Sequence, residues 1–119
     1  MKILVADDEK NILRIIQFNL EKAGYKVVTA SNGQIALDVM KKEKPELAIL
    51  DIMMPKINGF ELCEKIKKDF KNTKVILLSA KGQDIDKKRG SEAGADLYIT
   101  KPFSPRLILS NIRQLTGDE

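Results

Sequence analysis

Five side chains of kinds that work together in phosphoryl chemistry stand at, or just beyond, the ends of short apolar runs in this sequence. Asp7 and Asp8 follow Lys2-Ile-Leu-Val-Ala6, Asp51 closes Leu47-Ala-Ile-Leu, Ser79 closes Lys74-Val-Ile-Leu-Leu, and Lys101 follows Leu97-Tyr-Ile-Thr. Carboxylates crowded together resist ionising at once, so three in one place ask for a cation. The chain has no histidine and one cysteine, and oxygen donors alone suit a hard ion, Mg²⁺ first and Mn²⁺ as the alternative. A carboxylate beside such an ion, with an ammonium opposite, can receive a phosphoryl group as a covalent acceptor. Charge then distributes the roles. Asp8, with Asp7 directly or through water, holds the ion; Asp51 accepts the group; Lys101 neutralises the transferring oxygens; Ser79 donates a hydrogen bond to one of them. Taken singly, each has a plainer reading: helix start, loop cap, turn hydroxyl, solvated amine. The recurrence of the needed type at successive strand ends is what argues for a site.

For these residues to meet, the runs must be neighbouring strands pointing the same way. Residues 2–6, 26–30, 47–51, 74–79 and 97–100 read as strands, and the unbroken run Leu47 to Leu50 has no polar side, as in a parallel sheet covered on both faces. Between them lie amphipathic helical stretches. Ile12, Ile16 and Leu20 recur at four-residue spacing, with Leu13 and Ala23 flanking, over about 10–23 until Gly24. Ala36, Leu37 and Met40 follow the Ser31-Asn-Gly33 turn, and Pro45 blocks continuation. Asn58 is placed to cap a helix whose Cys63, Ile66 and Phe70 share a face, and Ser104 one carrying Ile108, Ile112 and Leu115. The helix over about 85–93, closed by Gly94, has the thinnest apolar face and is expected to dock loosely. Five strands alternating with five helices predict an α/β, doubly wound parallel sheet, whose ligands gather at the carboxyl ends of the strands.

Composition narrows the classes further. With 119 residues there is room for one domain, 1–119, with a core large enough to stand without staples. One cysteine, Cys63, forbids an internal disulfide and reads as core; a reducing cytoplasm is the simplest setting. Neither a signal peptide nor a membrane-length apolar stretch is present in the sequence. A net charge of +4 raises nucleic acid as a partner, but the lysines are interleaved with acids and spread over several helices, so solvated faces and no direct nucleic-acid contact are expected. The absence of histidine excludes Ser-His-Asp and Cys-His catalysis, His-ligated zinc and phosphorylation on a histidine of this chain.

The motifs Val5-Ala-Asp7-Asp8-Glu9, Leu50-Asp51-Ile-Met-Met-Pro55 with Gly59, Leu78-Ser79-Ala80, Gly94-Ala95-Asp96 and Lys101-Pro102-Phe103 together resemble the receiver domain of two-component response regulators, of the single-domain chemotaxis-regulator type, over essentially the whole chain. The resemblance implies a flavodoxin-like (βα)5 fold with strand order 2-1-3-4-5. It implies that Asp51 takes a phosphoryl group from a phosphohistidine on a sensor kinase or phosphotransfer protein. Mg²⁺ would be bound by Asp8, Asp51 and the backbone carbonyl of Met53, with the amides of Met53 and Ala80 on the phosphate. A cis peptide between Lys101 and Pro102 is implied, as is a switch in which Ser79 moves toward the phosphoryl group and Tyr98 turns inward. Downstream proteins would then bind the face made by the fourth helix, fifth strand and fifth helix. Met53 and Lys81 occupy positions that tune dephosphorylation in the family, and a bulky Met53 is expected to shield the aspartyl phosphate from water.

An aspartyl-nucleophile phosphatase would want a second aspartate two residues after Asp51, where Met53 stands, so no enzyme beyond self-phosphorylation and autodephosphorylation is expected. A flavin carrier on this fold would meet repulsion between its phosphate and Asp7-Asp8-Glu9. The polar ending Leu115-Thr-Gly-Asp-Glu119 favours a stand-alone shuttle over a receiver belonging to a longer regulator with a DNA-binding or enzymatic output.

Overall fold

The computed structural model describes residues 1–79 and 84–117, with the side chains of residues 84–87 left aside. Among the described residues, five strands, β1 (Lys2–Ala6), β2 (Lys26–Ala30), β3 (Leu47–Asp51), β4 (Lys74–Ser79) and β5 (Leu97–Thr100), alternate with five helices, α1 (Lys10–Lys22), α2 (Gly33–Glu43), α3 (Gly59–Asp69), α4 (Asp84–Glu92) and α5 (Pro105–Thr116). The strands form one parallel sheet in the order β2-β1-β3-β4-β5. The expected architecture and strand order are therefore both found.

The unbroken apolar runs resolve into two faces. Leu4, Ala6, Ala48, Leu50, Val75 and Leu77 pack with Ala36 and Met40 of α2 and Leu62, Cys63 and Ile66 of α3. Their chain neighbours Ile3, Val5, Leu47, Ile49, Ile76 and Leu78 point the other way, against Ile16 and Leu20 of α1 and Ile108 and Ile112 of α5. Successive side chains of a strand alternate between faces, so a strand covered on both sides must be apolar at every position. Cys63 is buried as expected, and burial pushes its thiol up to about 11.

Local signals end the helices where the sequence places them. Asn32, Asn58 and Ser104 accept from the amides of Ile35, Glu61 and Leu107, and the Asn58 amide also donates to the Glu61 carboxylate, satisfying amides that the first helical turn leaves without partners. Gly24 takes a φ of 99° after α1, in the left-handed region that favours glycine. Ala23, expected on the buried stripe, lies exposed at the C-cap instead.

Among the described residues of α4 and the turn after it, two partly polar contacts reach α3. The Arg89 guanidinium lies 4.3 Å from the centre of the Phe60 ring, a cation–π contact. The Cys63 thiol donates to the carbonyl of Ala93 at 3.5 Å. The turn after α4 is tied down by Asp96, whose Oδ2 accepts from the Val75 amide at 2.8 Å and from Lys67 Nζ at 2.9 Å, joining α3, β4 and the start of β5. On the opposite side, α1 turns Ile15 and Phe18 to solvent, 51% and 64% exposed.

Candidate functional site

The ends of β1, β3 and β5 are each fixed by a ladder bond that runs past the last strand residue. The Asp7 amide donates to the carbonyl of Ala30, that of Ile52 to Leu78, and that of Lys101 to Ser79. The register aligns Ala6 with Leu50, Asp51 with Leu78, and Ser79 with Thr100, so the residues closing β1, β3, β4 and β5 share one rim. Carboxylate oxygens of Asp7, Asp8 and Asp51 lie within 4.8 Å of one another. Asp7 and Asp51 are 0% and 4% exposed, while Asp8 faces solvent.

Among the described residues, one ammonium enters this cluster. Lys101 Nζ stands 3.3 Å from Asp51 Oδ1 and 3.5 Å from Asp7 Oδ2, with Glu9 Oε1 at 3.7 Å on the open side. The peptide between Lys101 and Pro102 is cis, as the resemblance implies. Asp7 Oδ1 accepts from the Glu9 amide at 2.9 Å, so this carboxylate is spoken for on both oxygens.

The charges are not balanced. Burial pushes the Asp51 carboxyl up to about 6, and the Asp7 carboxylate and, more weakly, Asp8 add to the rise; Lys101 opposes it by charge and hydrogen bond. Burial likewise raises Asp7, against the pull of the Glu9 amide and Lys101. For Lys101 burial works against the charged form, but Asp51 and Asp7 outweigh it and hold the ammonium above its ordinary value. Among the described residues, the three aspartates thus have one half-buried ammonium, Lys101, in their midst. An all-oxygen donor set with surplus negative charge and one solvent-facing member fits a hard divalent cation that keeps some of its water.

Helix α3 and the loop before it press directly on Asp51. A Cβ on Gly59 would lie 2.5 Å from the Asp51 carbonyl oxygen and 2.7 Å from Ile52 Cα, so only glycine lets the helix start there, and its amide donates to Ile52. Gly33, at the start of α2, meets the same loop from the other side: its amide donates to Pro55, and a Cβ would lie 2.0 Å from the Ile57 carbonyl oxygen. Between them Lys56 adopts a φ of 74°, a left-handed conformation that costs a side-chain-bearing residue about 1–2 kcal/mol. The loop carrying Met53 is therefore clamped at both ends.

The other expected site residues fall as follows. Ser79 is buried, and the Tyr98 hydroxyl donates to its Oγ at 2.5 Å, so the ring already occupies the inward position. Met53, two residues after Asp51, is 74% exposed. Ala80 and Lys81 lie outside the described residues. In the sequence Glu9 stood out only as the end of the Val5–Glu9 motif and as a charge repelling a flavin phosphate, not as a third neighbour of Lys101; its position directly after Asp7-Asp8 was the available signal. The clamping glycines were missed too, apart from Gly59 as part of a motif.

A five-stranded sheet of this order with acidic, hydroxyl and amine groups on its carboxyl rim defines a signalling receiver. The family model described as response regulator receiver domain matches residues 3–113, and the chain belongs to that family. It is 45% identical over 114 residues to the alkaline phosphatase synthesis transcriptional regulatory protein PhoP of Bacillus subtilis (strain 168), covering 96% of this chain and 48% of that protein. It is 46% identical to the probable transcriptional regulator ycf27 of Porphyra purpurea, with 96% and 46% covered. The chain thus spans about half the length of these relatives. Among solved structures it is similar to a response regulator receiver domain protein (CheY-like) from Methanospirillum hungatei JF-1, at TM-score 0.93 and 33% identity over 98% of this chain and 94% of that one. DrrB of Thermotoga maritima, an OmpR/PhoB homolog, matches at TM-score 0.90 and 38% identity, covering 98% of this chain and 52% of that one. Among the described residues no helix is long and apolar enough to cross a membrane.

Proposed function

We propose that this receiver, spanning residues 1–119, is a phosphoryl-accepting switch in which Asp51 is the acceptor. The observation that carries the reading is the Lys101 ammonium, held 3.3 Å from Asp51 and 3.5 Å from Asp7 inside a cluster of three carboxylates. An Asp51 oxygen attacks the phosphorus of a phosphohistidine on a partner kinase or phosphotransfer protein in the cytoplasm. The P–N bond breaks, the imidazole departs, and an aspartyl phosphate remains.

Asp8, Asp51 and the Met53 carbonyl, with Asp7 directly or through water, would hold Mg²⁺. When bound, the ion neutralises charge on the transferring oxygens and offsets the surplus carboxylate charge. Lys101 supplies a fixed positive charge to the same oxygens without reorganising, because Asp7 already orients it. Ser79 Oγ, on the next strand, donates to a phosphoryl oxygen, and the amides of Met53 and Ala80 would supply two further donors. That draws Ser79 toward Asp51, and Tyr98 follows through its hydroxyl. The modified aspartate thereby favours one arrangement of the α4–β5–α5 face by differential contacts, which is a population shift.

The outward stripe of Ile15 and Phe18 on the helix that begins beside the carboxylates supports donor approach from α1. A second reading, that the domain controls a transcriptional output as part of a longer regulator, draws on the half-length coverage of relatives that are transcriptional regulators. Incubation with acetyl phosphate and Mg²⁺ followed by intact-mass measurement tests the central claim. One added phosphoryl group is expected, dependent on Mg²⁺ and absent in Asp51→Asn. An unmodified wild type, or equal labelling of the Asn variant, overturns it.

A further inference from the structure

Glycine inside a helix weakens it, because it loses the most backbone freedom on ordering, so Gly90 within α4 asks for a physical reason. Its surroundings supply one. A Cβ at position 90 would lie 3.1 Å from Leu77 Cδ1 and 3.1 Å from Tyr98 Cδ2, with Tyr98 Cε2 at 3.5 Å. Leu77 is fully buried in β4 and has no room to yield in a close-packed interior. Tyr98 is half-buried and does have room. Its ring borders a cavity of about 340 Å³ between α4 and β5, lined by Gly90, Ser91, Ala95, Asp96, Leu97 and Tyr98.

We propose that Gly90 is a positioning residue for the Ser79–Tyr98 pair. The missing side chain leaves the Tyr98 ring its inward seat between α4 and β4, where the hydroxyl reaches Ser79, and a side chain at position 90 drives the ring outward into the α4–β5 cavity. Gly90 touches neither Asp51 nor the carboxylate cluster; it acts through Tyr98 alone. The functional weight of this inference rests on the switch role proposed above for Ser79 and Tyr98, whereas the ring position does not.

The test compares Gly90→Ala with Ser91→Ala, which makes a similarly helix-favouring change at an exposed neighbour. In the unphosphorylated protein, nuclear Overhauser contacts between the Tyr98 ring protons and the Ser79 β protons report the inward seat. They are expected to fall to less than a fifth in Gly90→Ala and to persist in Ser91→Ala. Contacts kept in Gly90→Ala, or lost equally in Ser91→Ala, overturn the proposal. If Gly90→Ala gives no resolved spectrum, melting of Gly90→Ala in the Tyr98→Ala background decides. A smaller loss from Gly90→Ala in that background than in the wild type supports ring crowding, since the approach to Leu77 remains in both and only the ring is gone; an equal loss in both backgrounds overturns it. Labelling by acetyl phosphate and Mg²⁺ separates the two levels. A wild type that does not label defeats the phosphoryl reading, while a labelled protein whose ring stays inward in Gly90→Ala defeats this inference alone.

Discussion

Lys101 reaches Asp51 across an intervening strand: β4 lies between β3 and β5, yet the ammonium stands 3.3 Å from the carboxylate. The lysine side chain spans the rim that Ser79 closes, which places the three groups in a row. Their shared burial sets how the site responds to pH, to ions and to substitution.

The raised Asp51 carboxyl makes stability pH-dependent. Its folded value of about 6 exceeds the ordinary 3.8, so the folded state holds the proton more tightly. The stability linked to this group is fully present below about pH 4, is lost as pH rises through about 4 to 6, and is flat above. At 1.36 kcal/mol per unit, the loss is on the order of 3 kcal/mol. Without divalent ions, Asp51→Asn should melt several degrees above wild type at pH 7.5, and the gap should close near pH 4. Calorimetric scans across that range check it; a gap independent of pH would contradict the burial argument.

Added Mg²⁺ should raise the melting temperature of the wild type. Binding to the folded state alone stabilises by about 2.7 kcal/mol at a hundred times the dissociation constant. The shift should shrink below about pH 6, where Asp51 takes up a proton, and should largely disappear in Asp8→Asn. Thermal melts with and without the ion, at pH 5 and 7.5, read this directly.

Replacing Lys101 by methionine keeps much of the volume and removes the charge. Asp51 and Asp7 then lose their shared counter-charge, and a loss of roughly 3 kcal/mol is expected at neutral pH, smaller at pH 4 where both carboxyls are closer to neutral. Labelling by acetyl phosphate should slow by about a hundredfold, the usual cost of deleting one electrostatic stabiliser of a transition state. Urea unfolding at the two pH values and a labelling time course measure the two effects.

Gly33→Ala should act on a loop it does not belong to. The new Cβ, 2.0 Å from the Ile57 carbonyl oxygen, forces α2 and the Pro55–Ile57 turn apart, at a cost of about 1–3 kcal/mol typical of overpacking. Because that turn follows Met53, the Mg²⁺-induced melting shift should also decrease. Gly24→Ala, strained but with nothing within 4 Å of its Cβ, should cost stability without reducing the ion's effect.

The strands and their carboxyl-end residues were legible because a strand covered on both faces writes itself as an unbroken apolar run. The same property hid which side chains go to which face, since a run without polar positions carries no alternation to read. Helix caps at Asn58 and Ser104 were legible as local chemistry. The approach of Gly33 to Ile57 and of Gly90 to Tyr98 was not, because each joins segments far apart in sequence. Met53 shows a related limit: it stands 74% exposed between buried Ile52 and Met54, and nothing in an apolar run marks which member faces water.

The sheet order also makes the rim lopsided. Asp51 has Asp7 on one flank, already bonded on both carboxylate oxygens, and the Asp7 amide in turn donates to the carbonyl of Ala30 at the end of β2. On the other flank come Ser79, then Lys101 and Tyr98 on or just past the outer strand. Lys101 ties the two flanks together, 3.3 Å from Asp51 and 3.5 Å from Asp7. The lopsided rim is thus stitched by one side chain that runs from just past the outer strand back to the residue that follows β1.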